Sequence, residues 1–345
     1  MIRKLLLCFS LIAILFLSCK NKEEVSFSNY HSYQNPVDQS TGGIRMIPIK
    51  TPAGTFKVWT KRVGNNPKIK VLLLHGGPGV THELYECFDG FFPQEGIEYI
   101  YYDQLGSYYS DQPNDNRLWT NDRFVDEVEQ VRKALGLNKD NFYLLGQSWG
   151  GILAMEYAFK HQNNLKGLII SNMMSSAQLY NQYAEEVLGP QLPTTVFNQI
   201  KNFEKNKDYQ NPKYQELLFN YYYTEHILRK PIKDWPEAVN RCFKHLNPNV
   251  YIYMQGPSEF GITGNATLKN WDVRQQLKNI KVPTLVIGAK HDTMDPKHME
   301  WMSKQVQNGR FLYCPYGSHL SQYDDQNTYI PGVIKFLKDV NLNKF

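Results

Sequence analysis

The pentapeptide Gly146-Gln147-Ser148-Trp149-Gly150 is the most informative segment of this chain, because it has the pattern G-x-S-x-G and lies between two apolar segments. Residues 141–145 are mostly apolar and aromatic, as expected of a buried strand, and residues 152–158 favour a helix. A serine between a strand and a helix stands on a sharp turn, where the free N–H groups of the helix point at any oxyanion. Ser148 is therefore a candidate nucleophile, although a glycine-rich turn without a chemical role has the same pattern.

Other strand-like segments alternate with helix-like segments on both sides of this turn. A chain of this kind forms a mostly parallel sheet with helices on both faces, which is an α/β fold. Strands are predicted at 44–50 and 55–60, which form a hairpin, and at 71–74, 97–102, 168–170, 283–288 and 310–313, and helices at 122–135 and 333–338.

Residues 175–270 differ from the rest of the chain in their pattern. They have helical periodicity, many tyrosines and several interrupting prolines, and strand signals return only after them. A chain of 345 residues is long enough for one large domain with an insertion. We therefore predict a helical cap at 175–270, inserted into an α/β core made of 41–174 and 271–345.

The N-terminus has the order of a secretory signal. Arg3 and Lys4 precede an apolar run over 5–17, which is too short to span a bilayer comfortably. This order predicts a signal peptide over 1–18 and hence an exported protein.

The end of that run resembles a bacterial lipobox, since residues 16–19 read Phe-Leu-Ser-Cys. We therefore expect lipid on Cys19, and a polar tether over 19–40 that joins a membrane surface of the cell envelope to the folded domain. A plain signal peptide and an uncleaved anchor are the alternatives.

Charge and cysteine content exclude other classes of function. The formal net charge of +5 falls to +3 when Arg3 and Lys4 are removed (5 − 2), and no basic stripe with interleaved aromatic residues is present. A nucleic-acid partner is therefore not expected. The cysteines beyond the signal region are odd in number and widely spaced, so they predict neither a disulfide framework nor a zinc site.

Two later strand ends supply partners for Ser148. A serine hydroxyl needs a nearby base and a third group that orients the base. Asp292 and His319 each follow a predicted strand, and the carboxyl ends of parallel strands meet at one edge of the sheet. Ser, Asp, His is also the chain order of α/β-hydrolases, so we predict the triad Ser148, Asp292 and His319. Asp295 is an alternative orienting acid.

The run His75-Gly76-Gly77-Pro78-Gly79 also follows a predicted strand. Its second glycine, Gly77, can offer a backbone N–H to an oxyanion, with the N–H of Trp149 as the partner donor. A tight structural turn is the alternative interpretation.

Metal catalysis is the rival chemistry. Asp292, Asp295 and His298 could be imagined as ligands, and His82-Glu83 as part of a zinc helix, but His82 lacks a second histidine four residues on. We therefore predict no metal site.

Several motifs together resemble the proline iminopeptidase (prolyl aminopeptidase) family of α/β-hydrolases, over about residues 44–337. They are His-Gly-Gly-Pro-Gly at 75–79, Tyr-Asp-Gln at 102–104, Gly-Gln-Ser-Trp-Gly-Gly at 146–151, Gly-Pro-Ser-Glu-Phe at 256–260 and Gly-Ser-His-Leu at 317–320. The resemblance implies the α/β-hydrolase fold and serine-dependent release of an N-terminal residue, often proline, from a small peptide with a free N-terminus. It also implies that no metal or cofactor takes part.

One loop departs from the family pattern. After Asp-Gln the family continues Arg-Gly-x-Gly-x-Ser, whereas residues 105–110 read Leu-Gly-Ser-Tyr-Tyr-Ser and lack the arginine and the second glycine. We expect this loop to alter the wall of the site.

An exopeptidase must also measure one residue from the free amine. A cap carboxylate that pairs with the substrate ammonium would do so. Glu259 matches the family's Gly-Pro-x-Glu-Phe segment and is the first candidate, and Glu225 is the second. Either could instead be a solvated helix charge. Two other functions stay open: an esterase, lactonase or amidase with the same triad, and a non-catalytic binding lipoprotein on the same fold.

Overall fold

The computed structural model describes residues 29–345. The predicted signal peptide and Cys19 lie outside these residues. Within residues 29–345, no helix is both long enough and apolar enough to cross a membrane.

Eight strands form a single sheet in the order β1-β2-β4-β3-β5-β6-β7-β8. The β1–β2 and β2–β4 pairs are antiparallel, and every other neighbouring pair is parallel. The predicted mostly parallel sheet is therefore confirmed. The strands are β1 (Ile44–Thr51), β2 (Gly54–Val63), β3 (Lys70–Leu74), β4 (Glu98–Asp103), β5 (Phe142–Gln147), β6 (Gly167–Ser171), β7 (Thr284–Ala289) and β8 (Gly309–Cys314).

The α-helices of the described residues include those that cover the sheet and those inserted between β6 and β7. They are α1 (Pro36–Thr41), α2 (Asn121–Ala134), α3 (Trp149–His161), α4 (Ala177–Tyr183), α5 (Thr194–Lys205), α6 (Pro212–Leu217), α7 (Thr224–His226), α8 (Glu237–His245), α9 (Pro248–Met254), α10 (Pro296–Gln305), α11 (Ser321–Asp324) and α12 (Gln326–Asn341). A 3₁₀ segment, His82–Gly90, follows β3.

Successive residues of the inner strands alternate between two apolar layers. In β3, Leu72 and Leu74 pack in the layer that contains α2, α3 and α10, whereas Val71 and Leu73 pack in the layer that contains α12. All four side chains are fully buried. Because alternate side chains of a strand point to opposite faces, helices cover both faces of the sheet, as predicted.

The cap lies between β6 and β7 and consists of α4 to α9. Its apolar side chains, among them Leu218 and Val239, form a cluster of their own. Val80, Leu84 and Leu320 of the α/β core join this cluster, so the cap packs on the core through apolar contacts. The inserted helical cap predicted as part of the fold is confirmed.

Part of the predicted polar tether is packed against the core. Tyr30 is fully buried, and its hydroxyl donates hydrogen bonds to the carbonyl oxygens of Ile97 and Val63. Asp38 is also buried and accepts a 2.6 Å hydrogen bond from Arg45 Nε. The described part of the segment predicted as a tether, from residue 29 onwards, is therefore held against the core at Tyr30 and Asp38.

Candidate active site

Ser148 stands on a strained turn between β5 and α3. Its backbone angles are φ 57° and ψ −126°, a conformation that a residue with a side chain seldom adopts. The turn is held to the next strand, because the Ser148 N–H donates a 3.0 Å hydrogen bond to the carbonyl oxygen of Ser171. A Cβ atom on Gly146 would lie 1.9 Å from the carbonyl oxygen of Gly150, so this turn requires the first glycine of the pattern.

A cavity of about 340 Å³ brings Ser148 and His319 together on its wall. It lies between the carboxyl edge of the sheet and the cap. Apolar side chains from both parts form much of the rest of the wall: Val80, Leu84, Phe219, Ile227, Phe243 and Leu246. The volume falls in the range typical of small-molecule sites.

Asp292 lies behind His319 and is fully buried. The Nδ1 atom of His319 and Oδ1 of Asp292 are 2.8 Å apart. Burial alone would lower the pKa of His319, but the Asp292 carboxylate outweighs that effect and the pKa is raised above its ordinary value. This pair has the geometry of a histidine base oriented by a carboxylate.

Other groups hold the Asp292 carboxylate in place. The side-chain amide of Asn172, just after β6, donates a 2.7 Å hydrogen bond to Oδ2. The Met294 N–H donates a 3.1 Å bond to Oδ1. The sequence interpretation did not single out Asn172, although its position directly after a predicted strand was a signal that could have identified it.

The alternative acid and the residues considered as metal ligands have separate partners. Asp295 caps α10 by accepting a 2.9 Å hydrogen bond from the Lys297 N–H. The Nε2 atom of His298 lies 2.9 Å from Ser175 Oγ. Within residues 29–345, no group of three or more His, Cys, Asp or Glu side chains has the arrangement of a metal site.

The pair His82-Glu83 is likewise divided between two partners. His82 Nδ1 lies 2.9 Å from Asp103 Oδ1. Glu83 accepts hydrogen bonds from Thr81 and from Arg241 of α8. Glu83 therefore ties the 3₁₀ segment to the cap.

The His75–Gly79 loop lies beside the Ser148 turn, and Gly76 and Gly77 line the cavity. Gly77 has φ 103°, and a Cβ atom there would lie 2.8 Å from the Val80 nitrogen. Among the described residues, the backbone N–H groups of Gly77 and Trp149 have no hydrogen-bond partner. Two free N–H groups beside a candidate nucleophile can hold an oxyanion.

His75 is a buried structural residue. Its Nε2 accepts a 3.1 Å hydrogen bond from the backbone N–H of Gln104, and burial lowers its pKa to about 4. The Gln104 side chain donates to the His75 carbonyl oxygen and accepts a 2.8 Å hydrogen bond from Trp149 Nε1. Gln104 thus connects the Tyr-Asp-Gln motif to both other loops.

The structure brings Glu259 into the cavity and leaves Glu225 outside. Glu259 lines the same cavity as Ser148 and His319, and burial raises the pKa of its carboxyl group. The Tyr251 hydroxyl donates a 2.5 Å hydrogen bond to Glu259 Oε1, whereas the buried Oε2 has no partner among the described residues. Glu225 is exposed on α7, and its ion pair with Arg229 is 4.0 Å long.

The loop that departs from the family pattern does not line the cavity. Tyr108 occupies the place of the family's second glycine and has φ 27°. Its ring stacks on His245 of α8 with the centroids 4.0 Å apart. The structure thus places Tyr108 of this loop against the cap helix α8 rather than in the wall of the cavity.

Comparison with known proteins gives consistent matches. Residues 70–326 match a family model described as the alpha/beta hydrolase fold. The chain is 62% identical over 300 residues to a proline iminopeptidase of Elizabethkingia meningoseptica, an alignment that covers 87% of this chain and 100% of that protein. It is 60% identical over 299 residues to a proline iminopeptidase of Flavobacterium johnsoniae, covering 87% and 99%.

A solved structure is also similar over most of the chain. The crystal structure of proline iminopeptidase from Mycobacterium smegmatis superimposes with a TM-score of 0.76 at 28% sequence identity. The match covers 88% of this chain and 100% of that chain.

Proposed function

The chain belongs to the proline iminopeptidase family of α/β-hydrolases, and on that premise we propose that it is a serine exopeptidase that releases an N-terminal residue, preferentially proline, from small peptides. The family resemblance predicted from the motifs is confirmed by these relatives. We infer the roles of the individual residues in the reaction from the geometry of the cavity.

In the proposed mechanism, Ser148 Oγ attacks the carbonyl carbon of the first residue and His319 accepts the hydroxyl proton. Asp292 holds the imidazole through its 2.8 Å contact with Nδ1, which leaves Nε2 as the base. The N–H groups of Gly77 and Trp149 stabilise the oxyanion of the tetrahedral intermediate.

His319 then gives the proton to the leaving amine, and an acyl-enzyme remains on Ser148. A water molecule, deprotonated by His319, hydrolyses this ester and releases the N-terminal residue. Apart from the substrate and this water, every step uses groups of the chain itself, so the mechanism requires neither a metal nor a cofactor.

The surroundings of Glu259 in the cavity favour a peptide with a free amine over a simple acyl substrate. A buried carboxylate with one unpartnered oxygen is costly unless a cation or donor reaches it. When the carbonyl group of an N-terminal residue lies at Ser148, the ammonium of that residue supplies both the positive charge and the hydrogen-bond donor. An ester or lactone without an amine would leave the carboxylate unpaired, so Glu259 counts against the esterase and lactonase alternatives.

Substitution of the two candidate glutamates tests this proposal. Glu259→Gln removes the charge that pairs with the ammonium, whereas Glu225→Gln changes an exposed residue outside the cavity. We expect Glu259→Gln to lower kcat/KM for prolyl p-nitroanilide by about 100-fold while hydrolysis of p-nitrophenyl acetate stays within about twofold. We expect Glu225→Gln to leave both unchanged. Equal loss on both substrates in Glu259→Gln would contradict the amine-binding role.

Ser148→Ala tests whether the protein is a serine hydrolase. We expect no turnover of either substrate and no labelling by a fluorophosphonate probe, with the unfolding midpoint unchanged. Full activity of the purified Ser148→Ala protein would remove the proposed mechanism. Absence of labelling in the unsubstituted protein would favour a non-catalytic binding protein.

We also propose that the protein is exported and anchored in the bacterial cell envelope by lipid on Cys19. The support is the order of Arg3 and Lys4, the apolar run over 5–17 and the lipobox-like residues 16–19. In cells that express the full chain, the protein should partition into the detergent phase and incorporate labelled palmitate. Cys19→Ala should abolish both, and unchanged partitioning of that variant would contradict lipid attachment at Cys19.

A further inference from the structure

We propose that Tyr251 is a positioning residue that sets where a peptide's ammonium binds relative to Ser148, by holding the Glu259 carboxylate in one orientation. This inference rests on the proposed function, in which Glu259 binds the ammonium. It adds that the Tyr251 hydroxyl fixes the position of the Glu259 carboxylate.

The first observation is that the two oxygens of Glu259 have different surroundings. Oε1 accepts a 2.5 Å hydrogen bond from the Tyr251 hydroxyl, and Oε2 is buried without a partner among the described residues. Tyr251 is the only described side chain that bonds this carboxylate. Its hydroxyl therefore determines which oxygen is left for a ligand.

The second observation is that the backbone of Glu259 is fixed independently of Tyr251. The Tyr180 hydroxyl donates a 2.6 Å hydrogen bond to the Glu259 carbonyl oxygen. The Glu259 N–H donates a 3.2 Å hydrogen bond to the Tyr223 hydroxyl. With the main chain held on both sides, rotation of the side chain is the remaining freedom, and the Tyr251 hydroxyl removes it.

The third observation is that Tyr251 is connected through Asn247 to the His75–Gly79 loop, which carries Gly77 and is called the oxyanion loop below. It lies one turn into α9, where its N–H bonds the carbonyl oxygen of Asn247, the residue that caps the helix. The Asn247 N–H donates a 2.8 Å hydrogen bond to the carbonyl oxygen of Gly79, the last residue of the loop that carries Gly77. A Cβ atom on Gly79 would lie 2.9 Å from the Asn247 carbonyl oxygen, so the helix start and the loop are in close contact.

These contacts place the amine site and the oxyanion site on one connected frame. An enzyme that removes a single residue needs a constant distance between the bound ammonium and the attacked carbonyl, and a displacement of about 1 Å can cost about 100-fold in rate. Without the Tyr251 hydroxyl, the carboxylate could rotate and the ammonium would bind in more than one place. Removal of the Tyr251 hydroxyl should therefore slow the hydrolysis of amine-bearing substrates alone.

Tyr251→Phe removes one oxygen atom and keeps the ring, and Tyr253→Phe is the matched control. Tyr253 lies on the same helix, is half-buried, and its hydroxyl forms no hydrogen bond among residues 29–345. We expect Tyr251→Phe to lower kcat/KM for prolyl p-nitroanilide by about tenfold and to leave p-nitrophenyl acetate hydrolysis within about twofold. Tyr253→Phe should change neither.

The pH profile gives a second readout that a merely structural role would not change. The Tyr251 hydrogen bond stabilises the ionised carboxylate, so its loss raises the pKa of Glu259 further. We expect the acid limb of kcat/KM for the prolyl substrate to move to higher pH in Tyr251→Phe. The acid limb for the ester should stay in place.

A double substitution shows whether Tyr251 acts through Glu259. In a Glu259→Gln background, Tyr251→Phe should cause no further loss, because the carboxylate that it orients is gone. A full additional tenfold loss in that background, or equal loss on ester and prolyl substrates, would overturn the inference while leaving the proposed function intact. If Glu259→Gln itself shows no preference for amine substrates, the proposed amine site fails, and the role of Tyr251 fails with it.

Discussion

A Cβ atom on Gly150 would lie 2.0 Å from the carbonyl oxygen of Leu74, the last residue of β3. The first turn of α3 therefore packs directly on the backbone of a neighbouring strand. Because the oxyanion loop begins right after Leu74, this contact sets the Ser148 turn beside the N–H of Gly77. The second glycine of the G-x-S-x-G pattern thus serves the packing of two loops against each other.

Gly150→Ala should destabilise the protein by about 3 kcal/mol, because the added methyl group meets a backbone atom of a central strand that has little room to shift. The free energy of unfolding in urea measures this effect. Gly90→Ala is the matched control, since a Cβ atom at Gly90 has no atom within 4 Å. A change within about 0.5 kcal/mol is expected there. Similar stability of the two variants would contradict the packing argument.

Asp292→Asn should lower kcat for prolyl p-nitroanilide by about 10⁴-fold, because the neutral amide no longer favours the Nδ1–H tautomer of His319. Asp295→Asn is the control at the alternative acid. Asparagine is as good a helix cap as aspartate, so this variant should keep both its activity and its stability. Loss of activity in Asp295→Asn with full activity in Asp292→Asn would reverse the assignment.

The acid limb of the pH profile should be steeper for an amine substrate than for an ester. Burial alone would lower the pKa of His319, but Asp292 raises it overall, so activity on both substrates falls as pH drops through this raised pKa. Burial also raises the pKa of Glu259, and its protonation at low pH removes the partner of the ammonium. The logarithm of kcat/KM should therefore approach a slope of about two for prolyl p-nitroanilide and about one for p-nitrophenyl acetate. Glu259→Gln should abolish this difference, and equal slopes in the unsubstituted protein would contradict it.

Arg241→Ala should loosen the contact between cap and core. Arg241 of α8 donates a 2.5 Å hydrogen bond to Glu86 and also pairs with the buried Glu83, both in the 3₁₀ segment. Its neighbour in α8, Phe243, lines the cavity. We expect a loss of about 2 kcal/mol in the free energy of unfolding and a rise of about fivefold in KM, with smaller effects at high salt.

The exposed pair of Arg117 and Asp115 supplies a control for that substitution. Arg117→Ala removes a salt bridge of similar length at the surface, so stability and KM should not change. An equal rise in KM in the two variants would show that the effect of Arg241→Ala does not come from the loss of the contact between cap and core.

The inner part of the sheet was predictable because its strands are buried on both faces. Val71 to Leu74 and Phe142 to Leu145 are continuous apolar runs, and each is followed by a polar segment that contains glycine. Such runs are visible in a single sequence, and the parallel arrangement follows from the helices between them. The same reasoning placed Ser148, Asp292 and His319 at strand ends.

Other features depended on packing between distant segments. Glu225 and Glu259 are both cap carboxylates, and the structure separates them because α7 turns one toward solvent while the Gly256–Phe260 segment carries the other into the cavity. His75 follows a strand just as His319 does, yet its ring is enclosed by Gln104.

By itself, the sequence determined the α/β-hydrolase fold, the family and the positions of the candidate triad at three strand ends, because local hydrophobic pattern and glycine placement specify where strands stop and turns tighten. Only the tertiary structure selected Asp292 over Asp295 as the partner of His319 and identified Tyr251 as the partner of Glu259. Those pairings depend on hydrogen bonds of less than 3 Å between side chains from separate loops and helices, and a distance on that scale is set by how the cap and the sheet pack together.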